Sequence, residues 1–250
     1  MRSPVLEKLN PVTSLAIGLV LLLPLVVTID WLSATVVLAA LVVTVVAARV
    51  PIVPLLRRSV PLLVVAPIGA TSMALYGQVG GHVWWRLGPA VVSDQSLVLA
   101  AAVVLRVFAL GWSAIVLGSA MDATRLADAL SQVLRLPPRF VLGTVAGARM
   151  VGLFTEDWQA LAHARRARGL GDAGRLRRWF TVSFALLVFA VRRGSVLATA
   201  MEARGFGGAP RTWARPSRLG RIDAIAFGLA LLVAILAVVA AVGFGTAWVY

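Results

Sequence analysis

Long apolar stretches alternate with short polar segments over most of the chain. A helix that rises 1.5 Å per residue needs about 20 apolar residues to cross the hydrocarbon of a bilayer. Five stretches come near that length and predict five membrane-spanning helices, at residues 11–29, 31–48, 59–80, 97–120 and 224–245. Asp30 is the only charge between the first two stretches, which therefore predict a tight helical hairpin.

Between the fourth and fifth apolar stretches the pattern is amphipathic and typical of helices outside the hydrocarbon. One helix is predicted over 122–136, with Asp122 capping its start and Pro137-Pro138 ending it. Two more are predicted over 139–168 and about 181–204. The fold class is therefore an all-α membrane protein with about five transmembrane helices and about three amphipathic helices. Its predicted domains are the first four spans, the amphipathic segment and the last span, at 1–120, 121–221 and 222–250.

Positive charge predicts the orientation, because cytoplasmic loops are enriched in Lys and Arg. Residues 121–221 hold 17 of the 24 basic residues, and the loop at 49–58 holds three more. We expect both segments and the N-terminus to be cytoplasmic, with Trp84 and Trp85 at the outer interface. Residues 179–191 are apolar, but a crossing there would place five arginines of 203–221 outside. We expect this stretch to lie at the membrane face instead, packed against other protein.

Composition excludes several classes of protein. The chain is 60% hydrophobic and 14% charged, with a mean hydropathy of +0.92, which is far too apolar for a soluble domain. It has no cysteine, and its two histidines lie far apart, so no disulfide or metal-ligand cluster is expected. The apolar stretch at 11–29 exceeds the apolar region of a signal peptide and predicts a retained span.

A short motif occurs twice, as Ala167-Arg168-Gly169 and as Ala203-Arg204-Gly205, each at the end of a predicted helix. Gly at this position favours a left-handed helix end, with Leu170 and Phe206 as the apolar partners. One copy is explained equally well as an ordinary helix end. Two copies in one compartment favour a function, because rigidly held arginines suit bidentate contact with partner carboxylates or carbonyls.

Other charged residues indicate structural roles. Arg106 lies inside the fourth predicted span, and we expect it to pair with Asp94 or with backbone carbonyls. Glu156 and Asp157 are expected to pair with nearby arginines. The phosphate-loop pattern GxxxxGK[ST] is absent, so the chain itself is not expected to bind ATP.

Taken with these motifs, the chain resembles the transmembrane (T) component of energy-coupling factor (ECF) transporters over nearly its whole length. The resemblance is carried by the two Ala-Arg-Gly motifs, by "VRRGSVLATAMEARGF", by "RVFALGWSAIVLGSAMDATRLADALSQVLRLPPRF" and by "LNPVTSLAIG". The family usually has a Lys in the last of these signatures, where this chain has Ser14 or its neighbours.

The resemblance implies a coupling subunit rather than an enzyme. In the family, the motif arginines dock into two ABC-type ATPases, one each, and these ATPases bind ATP and Mg. The membrane-side faces of the same helices hold a small S component that binds the cargo, a vitamin or a cobalt or nickel ion. The resemblance also implies a multi-pass protein of a prokaryotic plasma membrane, in contact with lipid, with no cofactor of its own and no nucleic-acid partner.

Two alternatives remain open from the residues. "DWQALAHARRARGLGD" faintly resembles membrane phosphatidyltransferases, although Asp157 and Asp172 are the only carboxylates at hand for a metal-bound diphosphate. A basic anchor for acidic lipid or nucleic acid would exploit the net charge of +14. The arginines are, however, spaced along patterned helices rather than run together.

Overall fold

The computed structural model describes residues 6–28, 30–169, 174–208, 212–213 and 215–244. A single 3₁₀ turn at Leu6–Lys8 precedes the first α-helix. The elements that follow are α1 (Pro11–Val27), α2 (Trp31–Ala47), α3 (Ile52–Tyr76), β1 (Val83–Leu87), β2 (Ala90–Ser93), α4 (Asp94–Ser119), α5 (Ala123–Gln132), α6 (Pro138–Ala167), α7 (Arg175–Ala203) and α8 (Arg221–Gly243). The predicted all-α membrane fold is confirmed, and helices α1, α2, α3, α4 and α8 lie at the five predicted spans. Helix α3 begins seven residues before its predicted start and ends four residues before its predicted end.

Helix length separates these apolar helices into two groups. Within the described residues, four helices are long and apolar enough to cross a membrane: α3, α4, α8 and the Trp179–Ala203 portion of α7. Helices α1 and α2 are apolar but have 17 residues each, or about 25 Å, the lower limit for a span.

Helix α7 is longer than the apolar stretch at 179–191 suggested. It runs without a break through Arg192 and Arg193, because arginine is a good helix former and the turn around it stays hydrogen-bonded. The helix is therefore long and apolar enough to cross a membrane. The distribution of positive charge, in contrast, predicts that both of its ends are cytoplasmic. Which side of the bilayer each end occupies stays a prediction.

Cysteine accessibility tests that topology directly, because the chain has no native cysteine. We expect Ala164→Cys, before α7, and Thr212→Cys, after it, both to resist an impermeant thiol reagent in intact cells and to react after lysis. Labelling of position 212 but not 164 from outside would show that α7 crosses the bilayer. Position 88, in the predicted external loop, is the positive control.

A β-hairpin follows α3, where the sequence predicted only a loop bearing Trp84 and Trp85. The two strands pair antiparallel, with Leu87 opposite Ala90. Gly88 in the two-residue turn has a φ of 57°, a conformation that glycine adopts without steric cost. Asp94 at the start of α4 accepts hydrogen bonds from the His82 amide (2.9 Å) and from Trp84 Nε1 (2.6 Å). These bonds hold the hairpin against α4.

The chain forms two compact units, one made of 1–129 with 217–250 and the other of 130–216. In the first unit, helices α1, α2, α4 and α8 contribute the larger apolar core. Alanines occupy several of its contact positions, which lets helices approach closely where bilayer lipid supplies no hydrophobic driving force. The buried residues are Ile17, Leu21, Leu25, Ala34, Val37, Leu41, Ala109, Leu117, Ala230 and Ala237.

Two buried carboxylates in this unit serve as helix caps. Asp223 is 6% exposed, and it accepts hydrogen bonds from the Asn10 amide (2.7 Å) and the Gly220 amide (2.8 Å). It thereby joins the start of α8 to the start of α1. Asp30 caps α2 through the amide of Ser33 (2.7 Å).

The intramembrane Arg106 has a backbone partner. Its guanidinium donates to the carbonyl oxygen of Thr28, at the end of α1. Asp94, the other partner considered from the sequence, instead bonds the hairpin. The carbonyl bond offsets part of the cost of placing a cation within an apolar helix and joins α4 to the turn between α1 and α2.

At the start of α5, Asp122 is the cap that the sequence predicted. Its carboxylate accepts hydrogen bonds from the Thr124 amide (2.7 Å) and the Arg125 amide (3.3 Å). These two backbone bonds, chiefly that from Thr124, hold the pKa of Asp122 below its ordinary value. The helix ends at Gln132, four residues before the predicted end.

Candidate functional site

The second Ala-Arg-Gly motif ends α7 in a Schellman arrangement. The Phe206 amide donates to the Met201 carbonyl (2.9 Å), and the Gly205 amide donates to the Glu202 carbonyl (2.8 Å). Gly205 has a φ of 74°, so its residue type is required by conformation. Open space surrounds the position where a Cβ would stand, so close packing does not explain the glycine.

The first motif ends α6 in the same way as far as the structure describes it. Gly169 has a φ of 70°, and its amide donates to the Arg166 carbonyl (3.0 Å). Leu170, the predicted apolar partner, lies outside the described residues. The left-handed glycines predicted at both motifs are therefore confirmed.

The two motif arginines have nearly identical backbones. Arg168 has φ −91° and ψ 8°, and Arg204 has φ −89° and ψ 11°. Both side chains are exposed, and among the described residues neither guanidinium has a hydrogen bond or ion pair. Each guanidinium therefore stands at a rigid helix end, next to the negative pole of the helix dipole, with its five donors open to a partner.

Helices α6 and α7 run antiparallel, which places the two motifs at opposite ends of the pair. Arg139, at the start of α6, donates to the Gly207 carbonyl beyond the end of α7 (2.9 Å). Arg165, near the end of α6, donates to Thr181 Oγ1 near the start of α7 (3.1 Å). Arg168 thus lies beside the start of α7 and Arg204 at its end, about 40 Å apart along the α7 axis.

Midway along the pair, Asp157 forms an ion pair with Arg193. Arg193 Nη1 lies 2.9 Å from Asp157 Oδ2, and Nη2 lies 3.4 Å from Oδ1. The predicted pairing of Asp157 with an arginine is confirmed, and Glu156 is exposed with no such bond among the described residues. A carboxylate held in this way is poorly suited to a metal-bound diphosphate, while Asp172 lies outside the described residues.

No set of three or more His, Asp or Glu side chains within the described residues is arranged to hold a metal ion. Arg139 and Arg165 were missed by the sequence analysis as elements of the site. Their partners lie 68 and 16 residues away along the chain, and neither contact has a local spacing pattern.

The side chains of α7 from Trp179 to Val191 include a broad exposed apolar face. Contiguous exposed apolar surface indicates contact with lipid or with a membrane-embedded partner. The exposed residues of this face are Trp179, Phe180, Phe184, Leu187, Val188 and Val191.

Comparison with known proteins shows which family of proteins this chain resembles. The family model CbiQ, described as cobalt transport protein, matches residues 2–213 of this chain. The energy-coupling factor transporter transmembrane protein EcfT of Limosilactobacillus fermentum is 28% identical over 193 residues, which cover 72% of this chain and 72% of that protein. The protein of the same description from Ruminiclostridium cellulolyticum is 26% identical over 205 residues, covering 76% of this chain and 75% of its own.

Proposed function

This chain belongs to the CbiQ cobalt transport protein family and is a transmembrane (T) component of an energy-coupling factor transporter; from that premise we propose that it couples two ABC-type ATPases to a substrate-binding S component. ATP and Mg are bound by the ATPases. The cargo, a vitamin or a cobalt or nickel ion, is bound by the S component. The protein acts in a prokaryotic plasma membrane with its N-terminus in the cytoplasm.

The observation that carries the proposal is the pair of matched helix ends. Arg168 and Arg204 have the same backbone conformation, are exposed, and lie at opposite ends of an antiparallel helix pair. A planar guanidinium makes bidentate bonds to carboxylates or to paired carbonyls that an ammonium cannot match. Two equivalent ends about 40 Å apart suit two equivalent partners rather than one.

The exposed apolar face of α7 supports the second half of the proposal. A surface of tryptophan, phenylalanine and branched aliphatic side chains is costly in water and favourable against a membrane-embedded protein. We assign this face to the S component. Movement of the two arginine ends by the ATPases would then shift the same rigid helices that touch the S component.

Copurification tests the assembly. The tagged chain is expressed with the neighbouring reading frames and purified in mild detergent. We expect two ATPase chains and one small membrane protein to elute with it. Elution of the chain without any ATPase, from membranes in which those ATPases are present, would contradict the proposal.

The purified chain alone is expected to hydrolyse no ATP above a no-protein blank, because it lacks a phosphate-loop motif. Hydrolysis should appear when the partner ATPases are added and should vanish when their own phosphate-loop lysine is replaced. Steady ATP turnover by the isolated chain, surviving repeated chromatography, would show that it is an enzyme.

A further inference from the structure

We propose that three polar contacts between α6 and α7 act as a register lock that sets the separation of Arg168 and Arg204. The contacts are Arg139 with the Gly207 carbonyl, Arg165 with Thr181, and Asp157 with Arg193. This inference rests on the proposed function, in which the two arginine ends engage two ATPases together. It makes four of these side chains positioning residues: Arg139, Asp157, Arg165 and Arg193.

The apolar contacts of the pair are too few to set its register. Across the described parts of α6 and α7, Val141 and Val182 are the only buried side chains. Trp158 and Trp179 add one edge-to-face ring contact at 6.2 Å. Because few side chains interdigitate between the two helices, a shift of one helix by one turn along the other would cost little packing free energy. The same shift would break the hydrogen bonds and the bidentate ion pair.

Two of the three contacts, that of Arg139 with Gly207 and that of Arg165 with Thr181, lie close to the two motifs. Gly207 lies three residues after Arg204, and Arg165 lies three residues before Arg168. Gly207 has a φ of 95°, and a Cβ built there would meet Arg139 Nε at 3.1 Å. The backbone conformation therefore favours glycine at this position, and a side chain there would displace the Arg139 guanidinium by a few tenths of an ångström.

The central contact resists sliding in both directions. A bidentate arginine–carboxylate pair has a defined orientation, so displacement by one turn, about 5 Å, breaks both of its hydrogen bonds. The side chains of Arg193 and Asp157 are 38% and 22% exposed, and pairs this accessible contribute little to folding stability. The pair is therefore suited to holding a position rather than to stabilising a core.

Spin labels measure the register on the full chain. Ala164→Cys and Ala200→Cys are exposed sites one turn before each motif arginine, and the absence of native cysteine keeps the labelling specific. We expect one narrow distance distribution between the labels. Asp157→Asn should broaden it, and the reversed pair Asp157→Arg with Arg193→Asp should narrow it again. Glu156→Gln, which removes a neighbouring carboxylate that has no bond among the described side chains, should leave it unchanged.

Transport by the assembled complex supplies the functional measurement. In proteoliposomes, cargo imported per ATP hydrolysed should fall about 2- to 30-fold in Asp157→Asn, recover in the reversed pair and stay at wild type in Glu156→Gln. A wild-type distance distribution in Asp157→Asn would overturn the register lock, as would a broadened distribution with undiminished transport per ATP. A wild-type chain that recruits no ATPase would instead refute the proposed function, and the distance measurement would still test the lock.

Discussion

Replacing both Arg168 and Arg204 by alanine is expected to abolish ATP-driven import while the protein still folds and reaches the membrane. Truncating one partner of a buried, hydrogen-bonded charge contact costs about 2–5 kcal/mol of binding free energy. That cost corresponds to a loss of affinity of about 30-fold to several thousand-fold at each ATPase. Each single variant should lose coupling, and the double variant should lose the ATPases on purification.

The fold should tolerate these changes because the arginines do not build the helix ends. Gly169 and Gly205 supply the left-handed conformation, and the backbone bonds at both ends remain. Losing a cation beside the helix dipole costs roughly 0.3–1 kcal/mol, too little to unfold a bundle of this size. Expression and chromatographic behaviour should therefore stay near wild type.

Two further variants separate recognition from charge. Lysine at both positions should restore function only in part, because a point charge does not reproduce the planar guanidinium. Arg192→Ala, which removes an exposed arginine from the middle of α7, should leave ATPase binding unchanged. Wild-type assembly and import in both single alanine variants would show that the motifs are only helix ends.

Asp223→Ala is expected to be the most destabilising single replacement at the ends of the membrane helices. The change leaves the amides of Asn10 and Gly220 without their buried acceptor. The buried Asn10 amide, left unsatisfied, costs about 1–3 kcal/mol. Gly220 is exposed, so its amide can bond water, and the loss there is that of a helix cap, about 0.5–2 kcal/mol. The expected total is about 2–5 kcal/mol, or a drop in Tm of roughly 5–15 °C in detergent.

Graded variants show whether this effect belongs to the carboxylate. Asp223→Asn keeps one acceptor and should lower the Tm less than Asp223→Ala. Asn10→Ala keeps the backbone amide that Asp223 binds. It loses the bond that Asn10 Oδ1 accepts from the Val12 amide (3.0 Å) and those that Nδ2 donates to Ser217 Oγ (3.0 Å) and the Arg218 carbonyl (3.4 Å), so about 1–3 kcal/mol is expected. Glu156→Ala, an exposed carboxylate, should not change the Tm. An unaltered Tm in Asp223→Ala would mean that water replaces the carboxylate at the start of α8.

The features predicted correctly from the sequence depend on neighbours along the chain. The ends of α6 and α7 are built from bonds that reach three to five residues back, so Ala-Arg-Gly was enough to predict the left-handed glycines. Asp122 caps α5 through amides two and three residues away. The apolar spans depend only on the length of each stretch against the thickness of the bilayer.

Contacts between distant residues were decided by the tertiary structure. Asn10 and Asp223 are 213 residues apart, and Arg139 is 68 residues from Gly207. No periodicity or spacing links such pairs, because each partner is selected by which helix ends meet in the fold. The β-hairpin at 83–93 has the same cause, since Asp94 and the start of α4 hold strands that are too short to be stable alone.

The sequence by itself determined that this is an all-α membrane protein of the energy-coupling factor type, with two glycine-ended helices that each carry an arginine at the tip. The length of an apolar stretch and the left-handed conformation of a glycine are local properties, so both can be predicted without knowledge of the packing. The tertiary structure alone decided that α6 and α7 run antiparallel and that Asp157 meets Arg193 between them. The relative orientation and register of α6 and α7 depend on contacts between residues that are distant in the sequence. Those contacts place Arg168 and Arg204 at opposite ends of the helix pair.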